Sequence, residues 1–179
     1  KFNGELFFTV GLDGTNQQVI WKSDGTEQGT TQVKNIRPNS YQPPFMTKFI
    51  TTNFGLMFFT ATDGVHGKEL WASDGTEAGT YMVKDINNTI YDSGVNHITA
   101  LGGNVYFQVL NASGISSLWK SDGTEAGTSV VVPSLYLTDN STSIIAFNGK
   151  LYFAGRITGD STGIELWVSD GTSVGTYLV

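Results

Sequence analysis

The 179-residue chain carries 10 Lys and Arg against 16 Asp and Glu, a net charge of −6, with 39% hydrophobic and only 15% charged residues. That balance suits a globular core rather than a disordered chain. It argues against a nucleic-acid partner, which needs a basic face to displace counterions, and against docking on anionic lipid. There is no cysteine, which excludes disulfides, thiolate metal sites and a cysteine nucleophile, and no apolar run approaches the roughly 20 residues of a membrane span.

The chain opens mid-pattern on "KFNGELFF", which reads as a stretch of a longer or processed chain. A first unit, about 1–37, runs "ELFFTV" from Glu5, "VIWKS" from Val19, the turn "DGTEQGT" and then "TQVKNI". The second, 38–87, opens with "FMTKFITT" from Phe45 and continues "LMFFTA", "ELWAS", "DGTEAGT", "YMVKDI". The third, 88–134, reads "VNHITALG", "NVYFQV", "SLWKS", "DGTEAGT", "SVVV". The fourth, 135–179, reads "STSIIAFNG", "KLYFAG", "ELWVS", "DGTSVGT", "YLV".

The tryptophans Trp21, Trp71, Trp119 and Trp167 thus mark a period of 48 to 50 residues. Each unit holds four short runs rich in Val, Ile, Phe, Tyr and Thr, separated by Gly, Asp and Asn, and no segment keeps helical spacing. Four strands in such a period predict an all-β fold: a β-propeller of four-stranded blades, either a four-bladed ring or part of a larger one. The first unit lacks its opening strand. An open array has bare ends and is expected to self-associate through them.

The columns carry physical meaning. Leu6, Met57, Val105 and Leu151 share one face of a strand with Phe8, Phe59, Phe107 and Phe153, while Phe7, Phe58, Tyr106 and Tyr152 occupy the other. Both faces are apolar, as expected of a strand sandwiched between two neighbouring blades. The four tryptophans are expected to pack blade against blade. In the turn, Asp24, Asp74, Asp122 and Asp170 are expected to accept from backbone N–H groups two residues on. The following Gly supplies positive φ, and the Thr hydroxyl closes a second local bond. That is a structural role, and its repetition argues against catalysis, since an active site is normally unique.

"ELWASDGTEAGTYMVKDI", Glu69–Ile86, resembles the ELWxxDGT repeat of large bacterial secreted and surface proteins, some described as hyalin-like. The likeness covers nearly the whole chain. It departs at Val19-Ile20, at Ser117, at the missing "KDI" of the third unit and at Ser173-Val174. The resemblance implies an extracellular or cell-surface repeat protein with adhesive or binding roles and carries no catalytic residue. A looser likeness to the Asp-box turn of sialidases lies in turn chemistry alone. Sialidase action needs an arginine cluster, and only Arg37 and Arg156 exist.

The histidines, His66 and His97, fall in different units, and neither zinc spacing nor a phosphate loop occurs. Calcium is the cofactor the loops could take, because Asp13, Asn16, Asp63, Asn87, Asn88, Asp92, Asp139, Asn140 and Asp160 make them oxygen-rich. They lack the spaced D-x-D-x-D-G pattern, and Asp-Gly is also a plain turn signal. Sequons occur at Asn87, Asn111 and Asn140. For a glycan ligand the candidates are Tyr41, Tyr91, Asn96, Tyr136 and Asn140, in the variable linkers and inter-unit loops. The bland alternative is that these side chains cover blade edges. The sequence therefore points to a non-catalytic binding and adhesion module, glycans or cell-surface proteins being the partners. The alternative is a structural scaffold or protein–protein segment of a large surface protein.

Overall fold

Short runs that are apolar on both faces cannot stand alone, and each must pair its backbone with antiparallel neighbours. The computed structural model describes residues 1–11, 18–36, 49–52, 54–88, 91–111, 115–137, 144–157, 159 and 163–179. These form four antiparallel sheets without a helix. The first holds β1 (Leu6–Gly11), β2 (Gln18–Ser23) and β3 (Thr31–Asn35), in that order. The second holds β4 (Ile50–Thr51), β5 (Met57–Thr62), β6 (Lys68–Ser73) and β7 (Thr80–Lys84). The third holds β8 (Asn96–Leu101), β9 (Asn104–Leu110), β10 (Ser116–Ser121) and β11 (Ser129–Val132).

The fourth sheet departs from the expected four strands. Besides β13 (Ile145–Phe147), β14 (Lys150–Ile157), β15 (Glu165–Ser169) and β16 (Thr176–Leu178), it takes in β12 (Leu135–Leu137). The reason is the length of β14, which has room for two partners along one edge. β13 pairs with Lys150–Tyr152, and β12 with Gly155–Ile157. Leu135 and Leu137 are buried, and Ser116 of β10 clasps β12 by donating to Leu135 O at 2.6 Å and accepting from Leu137 N at 3.2 Å.

One irregularity recurs. The register between the Trp strand and its hairpin partner slips by one residue at Ile20/Trp21, Leu70/Trp71 and Leu118/Trp119. The extra residue is Val33, Val83 and Val131, buried each time. A bulge inserts an unpaired residue and sharpens the twist. Here it also turns one valine per hairpin into the core.

The chain divides into two compact units, Lys1–Asp92 and Ser93–Val179, each holding two sheets. In the first unit Phe7, Ile20 and Val33 of one sheet meet Met57, Phe59, Ala61 and Trp71 of the next. In the second, Tyr106, Leu118 and Val131 meet Leu151 and Phe153, with Trp167 packed against them. The same columns pair in both units: the Phe7 column looks forward to the next repeat, and the Met57 column looks back. Each large apolar side chain so buried contributes roughly 1.5–3 kcal/mol.

Candidate functional site

The four turns come first because the sequence repeats them. In each, the Asp carboxylate accepts from the N–H and the hydroxyl of the Thr two residues on, at 2.7–2.9 Å: Asp24 with Thr26, Asp74 with Thr76, Asp122 with Thr124, Asp170 with Thr172. The intervening Gly has φ of 91–98°, the left-handed region that a side chain resists. The second Gly of the motif is required differently. A Cβ at Gly29, Gly79, Gly127 or Gly175 would land on the Asp carboxylate of its own turn.

A chain of hydroxyls closes the hairpin. Thr128 donates to Thr124 O at 2.6 Å, which uses its only proton, so Ser121, 2.7 Å away, must donate to Thr128. Ser121 in turn accepts from Gly123 N at 3.0 Å. Ser23–Thr30, Ser73–Thr80 and Ser169–Thr176 repeat this relay. The Thr26 N–H and hydroxyl hold the Asp24 carboxyl below the usual carboxylate range, as the Thr124 pair does for Asp122 and the Thr172 hydroxyl and N–H do for Asp170. The turn Asp residues are thus spent on local bonds.

The tryptophans do not behave as one column. Trp71 and Trp167 donate across their sheets to Ala61 O and Gly155 O at 3.1 Å. The indole nitrogens of Trp21 and Trp119 are buried without a partner. Where Ala61 and Gly155 stand in the second and fourth repeats, the first and third carry Val10 and Val109.

At the opposite end of the second sheet lies a polar loop. Asp63 accepts from Val65 N, His66 N and His66 Nδ1 at 2.7–3.0 Å. Burial pushes the Asp63 carboxyl up, but these donors outweigh it and the net shift is down. His66 is raised, first by its bond to Asp63 and that carboxylate's charge. Gly67, with φ +74, packs so closely on Tyr91 O that no Cβ would fit. Lys68 N donates to Asp92 Oδ1 at 2.8 Å, and Asn87 Nδ2 to Tyr91 O at 3.3 Å. These bonds pin the backbone beneath the Tyr91 side chain, and Tyr91 is 68% exposed.

Tyr41 and Asn140 lie outside the described residues, as do Asp13, Asn16, Asp139 and Asp160. Asn96 and Tyr136, read from the sequence as loop residues, stand in β8 and β12. The Asn96 amide donates to Gly94 O at 3.2 Å, and the Arg156 guanidinium lies 5.3 Å from the Tyr136 ring centre. Among the described residues no three His, Asp or Glu side chains gather where a metal ion could be held. Asp63 Oδ1 and Asp92 Oδ1 accept from backbone N–H donors. Sequence reasoning missed the buried Gln108–Ser116 pair, bonded at 3.1 Å between β9 and β10; the further bond from Gln108 Nε2 to Leu137 O at 3.2 Å depends on the unforeseen β12.

No protein-family model and no curated protein matches the sequence. Among solved structures, the chain is similar to TolB from Acinetobacter baumannii, with 12% identity and a TM-score of 0.57 over 97% of this chain. It is similar in the same degree to a prolyl endopeptidase, with 11% identity and a TM-score of 0.57 over 98% of this chain. The chain spans 39% of the first and 24% of the second. At such identity the likeness concerns the fold alone: an all-β chain of small antiparallel sheets, of the kind found in β-propeller proteins such as TolB.

Proposed function

We propose that the four sheets are blades of a β-propeller, closed by themselves or within a larger ring, in a secreted or cell-surface module. That module binds and adheres without catalysis, glycans being its ligand class. The observation that carries the ligand class is Tyr91. It offers an exposed aromatic face on a backbone pinned by Lys68, Asp92 and Asn87, and a sugar stacks on such a platform with carboxylates and amides at its rim. The non-catalytic reading rests on regularity, because no turn departs from the shared bonding pattern. The likeness to ELWxxDGT repeats supports the extracellular setting.

A second reading is a scaffold or protein–protein segment. It is favoured by Tyr136, covered by Arg156, and by Asn96, tied to its own backbone.

A glycan array probed with the purified chain, with calcium and again with a chelator, tests both. Reproducible binding that is lost in Tyr91→Ala supports the glycan reading, and loss with chelator brings calcium into it. A blank array under both conditions refutes it and leaves the scaffold. Weak sites repeated along a longer array would gain by avidity.

A further inference from the structure

Lys34 crosses from the first sheet to the turn of the second. Its ammonium donates to Thr80 O at 2.6 Å and to Glu77 O at 3.3 Å. Both carbonyls belong to the turn that the hydroxyl relay staples. Glu77 O also accepts from Thr80 N at 3.3 Å, and the Thr80 hydroxyl donates to Thr76 O at 2.6 Å. Lys34 stands 46 and 43 residues before these two partners, so the bonds join one repeat to the next. Both ends lie within the compact unit Lys1–Asp92. The Thr80 end is sheltered, because Thr80 is fully buried and Lys34 half-buried.

The column that supplies this lysine does not keep it. Lys34 stands opposite Ile20 across its hairpin, and Lys84 opposite Leu70, but Val132 stands opposite Leu118 in the third repeat. Val132 has no donor and packs against the core of the second unit instead. Shortly after it comes β12, with Leu135 and Leu137 buried, which pairs with β14 of the fourth sheet and is clasped by Ser116 of the third. Within the first unit a charged bond ties one sheet to the next; within the second an added apolar strand does so.

We infer that the lysine of the "VKNI" run is a clasp between repeats, whose ammonium holds the stapled turn of the second repeat shut against β3 of the first. A hydrogen bond from a charged donor is of the stronger kind. Placed on the last carbonyl of the turn, it must break before the turn can open, so local opening there is tied to the neighbouring repeat. The clasp does not depend on the glycan reading and stands or falls apart from it.

Native-state hydrogen exchange, followed by NMR on the 179-residue protein, tests the clasp. The probes are the amides of Asp74 and Thr80, which donate within the turn to Gly79 O and Glu77 O. Lys34→Met keeps the stem of the side chain and removes the ammonium. Both amides should then exchange at least about tenfold faster, the loss expected for a bond from a charged group. Asp74→Ala cuts the staple of the same turn, so adding Lys34→Met to it should speed the Thr80 amide much less. Added to Asp122→Ala, whose turn lies in the other unit, Lys34→Met should keep its full effect. Asp74 and Thr80 amides as slow in Lys34→Met as in wild type overturn the inference. So does an undiminished effect in the Asp74→Ala background, or one diminished equally by Asp122→Ala, with circular dichroism confirming the fold of each variant.

Discussion

The hydroxyl relay of the turn can be cut at one atom, by Thr128→Val, which keeps side-chain shape and removes Oγ1. The substitution deletes the 2.6 Å bond to Thr124 O and takes the acceptor from Ser121, whose side chain is fully buried. Thr124 is exposed, so water can serve its carbonyl. The Ser121 proton has no such recourse. A buried donor deprived of its partner costs roughly 1–3 kcal/mol, so about 2 kcal/mol is expected. For a chain of this length that lowers Tm by about 4–8 °C. Thr30→Val makes the same cut in the first repeat, where Ser23 and Thr30 are both part-exposed, and water can replace the lost bond there. Its cost should fall below about 1 kcal/mol. Thermal melts by circular dichroism, with urea midpoints as a second readout, compare the two. Equal losses for Thr30→Val and Thr128→Val would refute the assignment of the cost to burial. No loss for Thr128→Val would refute the relay itself.

The acid limb of stability should follow the turn carboxylates. Asp24, Asp122 and Asp170 have folded-state values below 3.8, so their contribution is whole above 3.8 and is lost as pH falls through the depressed values. Melts should be level between about pH 5 and 6.5 and fall below 3.8; a Tm unchanged down to pH 2 would contradict this. The His66–Asp63 pair has the opposite sign. His66 is raised above 6.5, so its contribution is whole below 6.5 and is lost as pH rises through the folded value. NMR titration of the ring should give a midpoint above 6.5 that returns toward 6.5 in Asp63→Asn. A midpoint that ignores the substitution would show that Asp63 is not the cause.

The repeats, the hairpin turn and the faces of the Phe8 and Phe7 columns were legible because each is a local consequence of residue order. Asp, Gly and Thr at fixed spacing can satisfy one another within seven residues, and four copies leave little choice of partner. The bulge was not legible. Val33, Val83 and Val131 read as ordinary strand positions, and only the slipped pairing reveals the extra residue. β12 was missed because "LYL" is too short to carry a period and depends on partners in β14 and on Ser116, 18 or more residues away in sequence. The split among the tryptophans depends on what stands across the sheet: Ala61 and Gly155 in two repeats, Val10 and Val109 in the others. Of the proposed ligand residues, exposure of Tyr91 followed from its polar loop. The capture of Tyr136 by Arg156 required the tertiary pairing of β12 with β14.

Constant turns and variable linkers occupy opposite ends of the same strands, and under the proposed function this separates stability from binding. β6 runs from Lys68, whose N–H is held by Asp92 beside Tyr91, to Ser73, which enters the relay with Thr80. Six strand residues span about 20 Å, so the platform and the staple share a sheet but no contact. The staple sets the register of each hairpin from within, and linkers at the far end can then vary without slipping every side chain to the other face. Two perturbations that far apart should act independently. Thr80→Val should lower Tm by about 4–8 °C, as in the third repeat, yet leave affinity for any glycan found on the array unchanged within about twofold at a temperature where the variant is folded. Tyr91→Ala should do the reverse, losing the sugar while leaving the melt within about 1 °C, as exposed substitutions do. If Thr80→Val weakened the sugar in proportion to its loss of stability, the platform would be coupled through the sheet to the turn, and the division of roles between the two ends would be wrong.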